Sequence, residues 1–550
     1  APDGATVSLQ GGQARLAIPA GSSSQTMEIL YAEGADFAGI SPSDISLAAL
    51  CQGGPAQWPK TISATGEVAE DSASAYVVDR VGLPDKNPYT GPLRVAAFDF
   101  FADGTTAAVC TWDGDVWIVE NVDETLQNLK WKLFARGIHE PLGLKIVDEN
   151  VYTVSDDQIT RFHDFNKDGE ADYYENFNND WQLTSGFHAF AFDLVTDKEG
   201  NFYFALGMPV RSGGRGFERV GEHHGTILKV SKDGSKLSKY ASGFRAPNGI
   251  GISPDGQVTS GDNEGTYVPR SPLNWIKEGG FYGVVDSYDK RAELKSTAFN
   301  KELRLGREEH REASEEPKPL VWFSKKVDNS GGGQVWVTSD RWGPLKGELL
   351  HGSYGKSTLY LVLKEEIKGQ MQGGVVKIPV QLNSSNMRMR FNERDGQLYV
   401  MGLKGWQTNA GHRSSFDRVR YTGKPIDLPT GLEIKTDGIV LRFSETLEPA
   451  SANLAENYSL KASDIYWCKE YGSQEFHINQ CNKPLGRKKK GWTSLKVTEA
   501  ELLDDGKSVK ITIDALVPAH MLELNHNIQT KDGRPLKAAI HHTIHKLKQP

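Results

Sequence analysis

One local pattern returns along most of this chain and limits what it can fold into. From about Leu93 to Gly423 a short apolar, β-branched run is followed by an Asp-Gly or Glu-Gly type turn and a second such run. Examples are "FDFFADGTTAAVCTWDGDVWIVENV", "LGLKIVDENVYTVSDDQITRF", "FAFDLVTDKEGNFYFALG", "IGISPDGQVTSGDNEG" and "MRFNERDGQLYVMGL". Alternating runs on either side of a tight turn are the mark of a β-hairpin. The turns fall near residues 103, 149, 199, 255 and 395, so the first four stand about 46 to 56 residues apart, the length of one four-stranded propeller blade. The longer last interval holds another two-strand stretch, "GELLHGSYGKSTLYLVLK", and a charged segment from Lys290 to Lys318 that reads as an exposed insertion.

The expected fold class is all-β: a six- or seven-bladed β-propeller over residues 91–427, then an Ig-like β-sandwich over 428–550. Sustained 3.6-residue periodicity is scarce, which disfavours an α/β fold, and a single sandwich does not hold some 330 residues. After "GKPIDLPTG" the texture changes to short alternating strands such as "DGIVLRFSETL", "SVKITIDAL" and "HMLELNHNIQT". Residues 1–90, rich in Gly, Ser, Ala and Asp, read as an extended or cap segment.

The 550 residues carry a formal net charge of −8, so the chain as a whole does not attract nucleic acid, and no run of 18 apolar residues could span a bilayer. The sequence starts at Ala1 rather than Met, which fits a processed export substrate and a secreted or periplasmic location. Of the four cysteines, Cys468 and Cys481 are close enough in sequence to close a local disulfide; four reduced thiols are the alternative. There is no C-x-x-C-H for covalent haem attachment.

The most specific local motif is "DFNKDGEADYYE". It places Asp164, Asn166, Asp168, Asp172 and Glu175 at loop positions 1, 3, 5, 9 and 12, with Gly169 at position 6 and the carbonyl of Glu170 at position 7. That is the oxygen-rich spacing calcium favours, and calcium is the expected metal. No helical pattern flanks the loop, so it reads as a structural clip in a blade connection.

In "GFHAFAFDLVTDKEG" a two-residue period puts His188, Phe190, Phe192 and Leu194 on one side. Groups just ahead of a blade's innermost strand line the ligand face of a propeller. His139, Arg245, Asn248, Arg388 and Arg390 occupy similar positions. A histidine with several guanidiniums at one channel mouth can take a proton while holding an anionic ligand or oxyanion. In the alternative, the arginines tie neighbouring blades together through carboxylates.

The succession "GIHEPLGLKIVDENVYTVSD", "FHAFAFDLVTDKEGNFYFALG", "GTILKVSKDGSKLSKYASGFRAPNGIGISPDG" and "MRMRFNERDGQLYV" resembles the soluble quinoprotein sugar dehydrogenases of the glucose/sorbosone type. It is closer still to the propeller modules of large secreted planctomycete and verrucomicrobial proteins, which often carry an appended haem domain. The likeness covers about residues 93–423. It implies that His188 is the base that takes a sugar hydroxyl proton, that Arg245 polarises cofactor or substrate oxygen, and that Arg388 and Arg390 grip the carboxylates of a pyrroloquinoline quinone. The chain departs from the pattern at Ala246, where the family has Asn, with Asn248 two places on. It departs again at Gly355, where the family's cofactor Lys is displaced to Lys356, and at "GDNEGTYV", where Asp262, Asn263 and Glu264 replace an acidic "EHG" calcium segment.

Three functions follow as expectations. The first is a quinone-dependent sugar dehydrogenase, with sugar as substrate and a separate haem protein as possible electron acceptor. The second is a polysaccharide lyase acting on an acidic polysaccharide, with Arg245, Arg388 and Arg390 neutralising a uronate and His188 or Tyr267 removing the α-proton. The third is a non-catalytic glycan- or partner-binding propeller. Trp406, His412, Arg341 and Trp342 are candidate rim residues. Adjacent His223 and His224 are poor partners for one metal, and Arg487–Lys490 reads as a solvated basic loop.

Overall fold

The computed structural model describes residues 4–21, 51–70, 74–284 and 317–549, except 215, 219, 267, 469, 481, 482 and 484. Tyr267, Cys481 and nearly all of the Lys290–Lys318 insertion lie outside the described residues, and with them the Cys468–Cys481 pairing. Thr6–Gln10 and Gln13–Ala17 form an isolated antiparallel hairpin.

Among the described residues six antiparallel sheets follow one another, and they form a β-propeller. Blade 1 runs Val95–Phe100, Ala107–Thr111, Val116–Glu120, Leu129–Ala135, and blade 2 runs Gly143–Val147, Asn150–Val154, Ile159–His163, Tyr173–Asn178. Blade 3 is Ala191–Thr196, Phe202–Leu206, Thr226–Val230, Leu237–Ser242, and blade 4 is Ile250–Ile252, Val258–Gly261, Pro272–Ile276, Val321–Trp322. Blade 5 is Gly331–Trp336, Leu349–Ser353, Thr358–Ile367, Gln370–Lys377, and blade 6 starts with Arg388–Phe391, Leu398–Leu403 and Ser414–Tyr421. The first strands pack side by side in cyclic order, the sixth against the first.

Local chemistry sets each hairpin. Between Gly143–Val147 and Asn150–Val154 the two turn residues Asp148 and Glu149 have φ of 47° and 60°, the backbone a two-residue hairpin needs. At the ring's inner wall neighbouring backbones nearly touch: a Cβ on Gly332 would come within 1.9 Å of the Asn386 carbonyl oxygen, so only glycine fits.

Two strands from the second half of the 1–90 segment belong to propeller sheets. Ile62–Ala64 pairs with Leu129–Ala135 at the rim of blade 1, and Tyr76–Arg80 is the outermost strand of blade 6. An N-terminal strand that completes the last blade closes the ring and covers the edge of Ser414–Tyr421.

Past residue 428 two sheets face each other. One is ordered Pro429–Lys435, Gly438–Phe443, Ser508–Ile513, Val497–Leu502; the other contains Thr493–Leu495, Tyr458–Ser463, Ala519–Gln529 and Pro535–Ile544. Leu432, Ile434, Leu441 and Ile511 from the first pack with Leu460, Leu522, Leu524 and Ile540 from the second in one core. The second sheet does not end within the C-terminal region. Pro535–Ile544 pairs with Gln370–Lys377 of blade 5, Val376 opposite Ile540, and an eight-stranded sheet results. The expected domain boundary is thus crossed by backbone hydrogen bonds. Among the described residues no helix is long and apolar enough to cross a membrane.

Candidate active site

His188 precedes the innermost strand of blade 3 and has φ of 70°. The Phe187 carbonyl accepts the Val210 N–H (2.7 Å), and the Phe190 carbonyl accepts the Gly207 N–H (3.0 Å), which anchors the turn. The register of this strand is irregular between Phe192 and Val195, with Asp193 at φ 59°. The expected alternation therefore breaks. Phe190 and Phe192 stay with His188, whereas Leu194 turns into a different core.

Aromatic rings surround the imidazole: Phe187 at 4.2 Å, Trp406 at 5.6 Å and Phe190 edge-on at 5.9 Å between centroids. Trp406 stacks on Trp112 at 4.8 Å, and Arg94 covers Trp112 at 4.7 Å. The Tyr354 hydroxyl accepts the N–H groups of Gly405 and Trp406 and fixes that loop. Burial, with the positive charge of Arg245 nearby, pulls the His188 pKa down to about 4. The ring is uncharged across the neutral range.

Arg245 precedes blade 4's first strand. The buried Asp262 carboxylate accepts the N–H groups of Arg245 (2.8 Å), Ala246 (2.7 Å) and Asn263 (2.7 Å) and locks the loop. Burial pushes Asp262 up to about 6 against those donors. The Arg245 guanidinium donates to the Gly214 carbonyl (3.2 Å) and lies over the Tyr471 ring at 5.4 Å. Tyr471 comes from the C-terminal region, held by the Gly472 N–H on the Gly265 carbonyl (2.9 Å) and by Arg270 to Glu475 (2.7 Å).

His188, Arg245 and Asn248 line one cavity of about 610 Å³ with Trp406, Tyr471 and Lys325. Asn248 is mostly occupied: its amide donates to the Gly331 carbonyl and its carbonyl accepts from Arg388. Lys325 pairs with Glu264 (2.9 Å), which also takes Arg270 (3.0 Å). The buried Oδ1 of Asn263 has no hydrogen-bond partner.

Four expectations need correction. Arg388 and Arg390 do not line this cavity. Arg388 is fully buried, with its guanidinium donating to the Leu142 carbonyl (2.6 Å) and the Asn248 carbonyl (2.6 Å) and lying 3.4 Å from Asp193. Arg390 bonds Asp193 at 3.0 Å. Through the Asp193 carboxylate and the Leu142 and Asn248 carbonyls the pair joins blades 2, 3, 4 and 6, which is the blade-tying alternative. Neither guanidinium lines the His188 cavity, so neither is placed to hold a ligand bound there. Lys356 does not line this cavity either; it lines the larger cleft between blade 5 and the C-terminal sheet. In the Asp164–Glu175 loop, Glu175 turns away to His163 (2.7 Å) and Arg161 (3.8 Å). The other loop oxygens fold inward: Asp164 accepts the N–H groups of Asp168 and Gly169, Asn166 that of Asp168, Asp168 that of Glu170, and Asp172 that of Phe165. The Lys132 ammonium donates to the Asp168 carbonyl.

His139 sits with Glu140 and Asp156, their ligand-type atoms within 4.8 Å of one another, rather than in the cavity. Lys325 and Tyr471 escaped sequence reading. Lys325 does stand just ahead of blade 5's first strand, the position that marked His188 and Arg245, but no motif flags it; Tyr471 arrives from over 200 residues away.

No protein-family model and no curated sequence matches this chain. Among solved structures it is similar to a glucose dehydrogenase at 12% identity and TM-score 0.45, covering 62% of this chain and 99% of that one. It is similar to the PQQ-bound aldose sugar dehydrogenase of Streptomyces coelicolor at 14% and 0.42, covering 64% and 100%. A third likeness is to the holo form of the pyranose dehydrogenase PQQ domain of Coprinopsis cinerea, at 10% and 0.43, covering 65% and 97%.

Proposed function

We propose that the protein is a carbohydrate-oxidising enzyme, a quinone-dependent sugar dehydrogenase that works in the His188 cavity. The observation that carries it is an uncharged imidazole and a guanidinium facing one aromatic-walled cavity at the entrance to a propeller's inner strands. The residue pattern over about 93–423 that resembles the quinoprotein sugar dehydrogenases adds to it.

The cavity fits a flat polyanion. Arg245 and Lys325 supply positive charge, the Asn329 amide a donor, and Phe190 and Trp406 apolar walls, within a volume in the usual range of about 300–1,000 Å³ for a small-molecule site. Bound there, a pyrroloquinoline quinone supplies a two-electron acceptor. His188 accepts the sugar hydroxyl proton on a ring nitrogen that has no hydrogen-bond partner among the described residues. Arg245, fixed by Asp262, holds negative charge opposite it. Phe187 offers a face on which a pyranose ring stacks, and Tyr471 closes the far side.

Calcium would be held in the blade 2 loop by Asp164, Asn166, Asp168 and Asp172 with the Glu170 carbonyl, a hard-oxygen set, while Glu175 stays with His163. Export to the periplasm or exterior, with a separate haem protein taking electrons, accords with this chemistry.

The test is reconstitution with the quinone and calcium, followed by dye reduction across a panel of aldoses. Aldose-dependent reduction is expected. A quinone titration with no change in absorbance retires the proposal.

A further inference from the structure

The His188 cavity is not an isolated pit. Lys325 and Tyr471 belong both to it and to a neighbouring cleft of about 380 Å³ that also contains Lys326, Lys461 and Trp492. Lys326, Lys461 and Glu523 are shared in turn with a larger cleft of about 1020 Å³ between blade 5 and the C-terminal sheet, where Lys356, Lys377 and Lys537 also line the wall. The three depressions therefore join into one groove running from the candidate active site along the seam between propeller and sandwich.

The charge of this groove is opposite to that of the molecule. The whole chain carries −8, yet lysines dominate the groove. Its acids already have partners on the protein: Glu523 is held by Lys461 at 2.7 Å, Glu475 by Arg270 at 2.7 Å, and Asp427 by Arg534. Lys326, Lys356, Lys377 and Lys537 form no ion pair among the described residues. Four ammonium groups gathered along one concave wall repel each other unless a ligand's negative charges lie among them. Lys461 also lies over the Trp492 ring at 5.3 Å, so an aromatic face is available beside the cations.

We infer that this groove binds an anionic oligosaccharide, a chain of sugar rings bearing carboxylate or sulfate groups, with its end directed into the His188 cavity. The inference rests on the dehydrogenase reading only for that last clause; binding along the seam stands apart from turnover. The groove extends well beyond the roughly 300–1,000 Å³ of a site for one small molecule, which suits a polymer. The pairing of Pro535–Ile544 with blade 5 puts Lys537 and Lys377 on neighbouring strands of one sheet, where both line the larger cleft.

The test is isothermal titration of the whole protein with a galacturonate hexasaccharide, a sulfated hexasaccharide and neutral maltohexaose, without added quinone. At least one anionic probe should bind about tenfold or more tightly than maltohexaose, and its affinity should fall as salt rises from about 0.05 to about 0.5 M. The Lys377→Glu/Lys537→Glu variant should lose about tenfold or more in that affinity while its unfolding temperature and its reduction of a small aldose, where present, stay unchanged. If only the sulfated probe binds, the ligand charge is sulfate; if only the uronate binds, it is carboxylate. Equal binding of neutral and anionic probes, or full affinity in a correctly folded double variant, overturns the inference. Anionic binding in a protein that oxidises no sugar keeps the groove and removes the dehydrogenase.

Discussion

Four titratable residues carry most of the chemistry, and the structure divides them into two pairs with different duties. Arg388 and Asp193 are both completely buried, and Asp193 is held below the usual carboxylate range by Arg388 and Arg390 despite its burial. Removing one partner leaves the other charge alone in the core, so Arg388→Met should cost about 3–5 kcal/mol in a denaturant titration. Arg245→Met removes a hydrogen bond and a ring contact but breaks no ion pair among the described residues, so it should cost less stability than Arg388→Met and weaken quinone binding instead. His188 behaves as a base only while unprotonated. Because burial and Arg245 lower its pKa to about 4, kcat/KM should hold from neutral pH down to about 5 and fall on an acid limb near 4. A limb near 6.5 would show an imidazole open to water. The sequence made His188 and Arg245 legible because each stands directly ahead of an inner strand. It misplaced Arg388 and Arg390 because their partner, Asp193, faces them only through an irregularity in a strand of blade 3 that no periodicity reveals.

Among the elements, hairpins were readable and sheet edges were not. A turn such as Asp148-Glu149 is decided by a few adjacent residues, whereas the pairing of Gln370–Lys377 with Pro535–Ile544 joins strands over 150 residues apart by register alone. The same limit hid Tyr76–Arg80 in blade 6 and Tyr471 in the cavity wall. The blade 2 loop turns the side chains of Asp164, Asn166, Asp168 and Asp172 inward, while strand Tyr173–Asn178 turns the Glu175 carboxylate toward His163. Calcium removal with a chelator should lower the unfolding temperature, a binding-linked loss of a few kcal/mol. Asp164→Asn with Asp168→Asn should abolish that response, and Glu175→Gln should preserve it.

Across the whole molecule, the eight-stranded sheet makes propeller and sandwich depend on each other, and its histidines set the pH range. Burial lowers His526 to about 4 and His542 to about 3, and His541 is lowered too. Among the described residues neither buried ring nitrogen of His542 has a hydrogen-bond partner. Their folded pKa values lie below the unfolded value near 6.5, so the unfolded chain binds more protons in between. The stabilisation is complete above about 6.5 and declines as pH falls toward 4, by up to about 3 kcal/mol for each histidine. Melting temperatures between pH 8 and pH 4.5 should stay level and then drop below about 6.5, and His542→Leu should blunt the drop. The most direct measurement of the account is a comparison of His188→Gln with the native protein, each loaded with quinone and calcium, for quinone affinity and for kcat on an aldose. The account predicts affinity within about threefold and kcat lower by about 10²- to 10⁴-fold. An unchanged kcat, or a native protein that takes up no quinone, would contradict it.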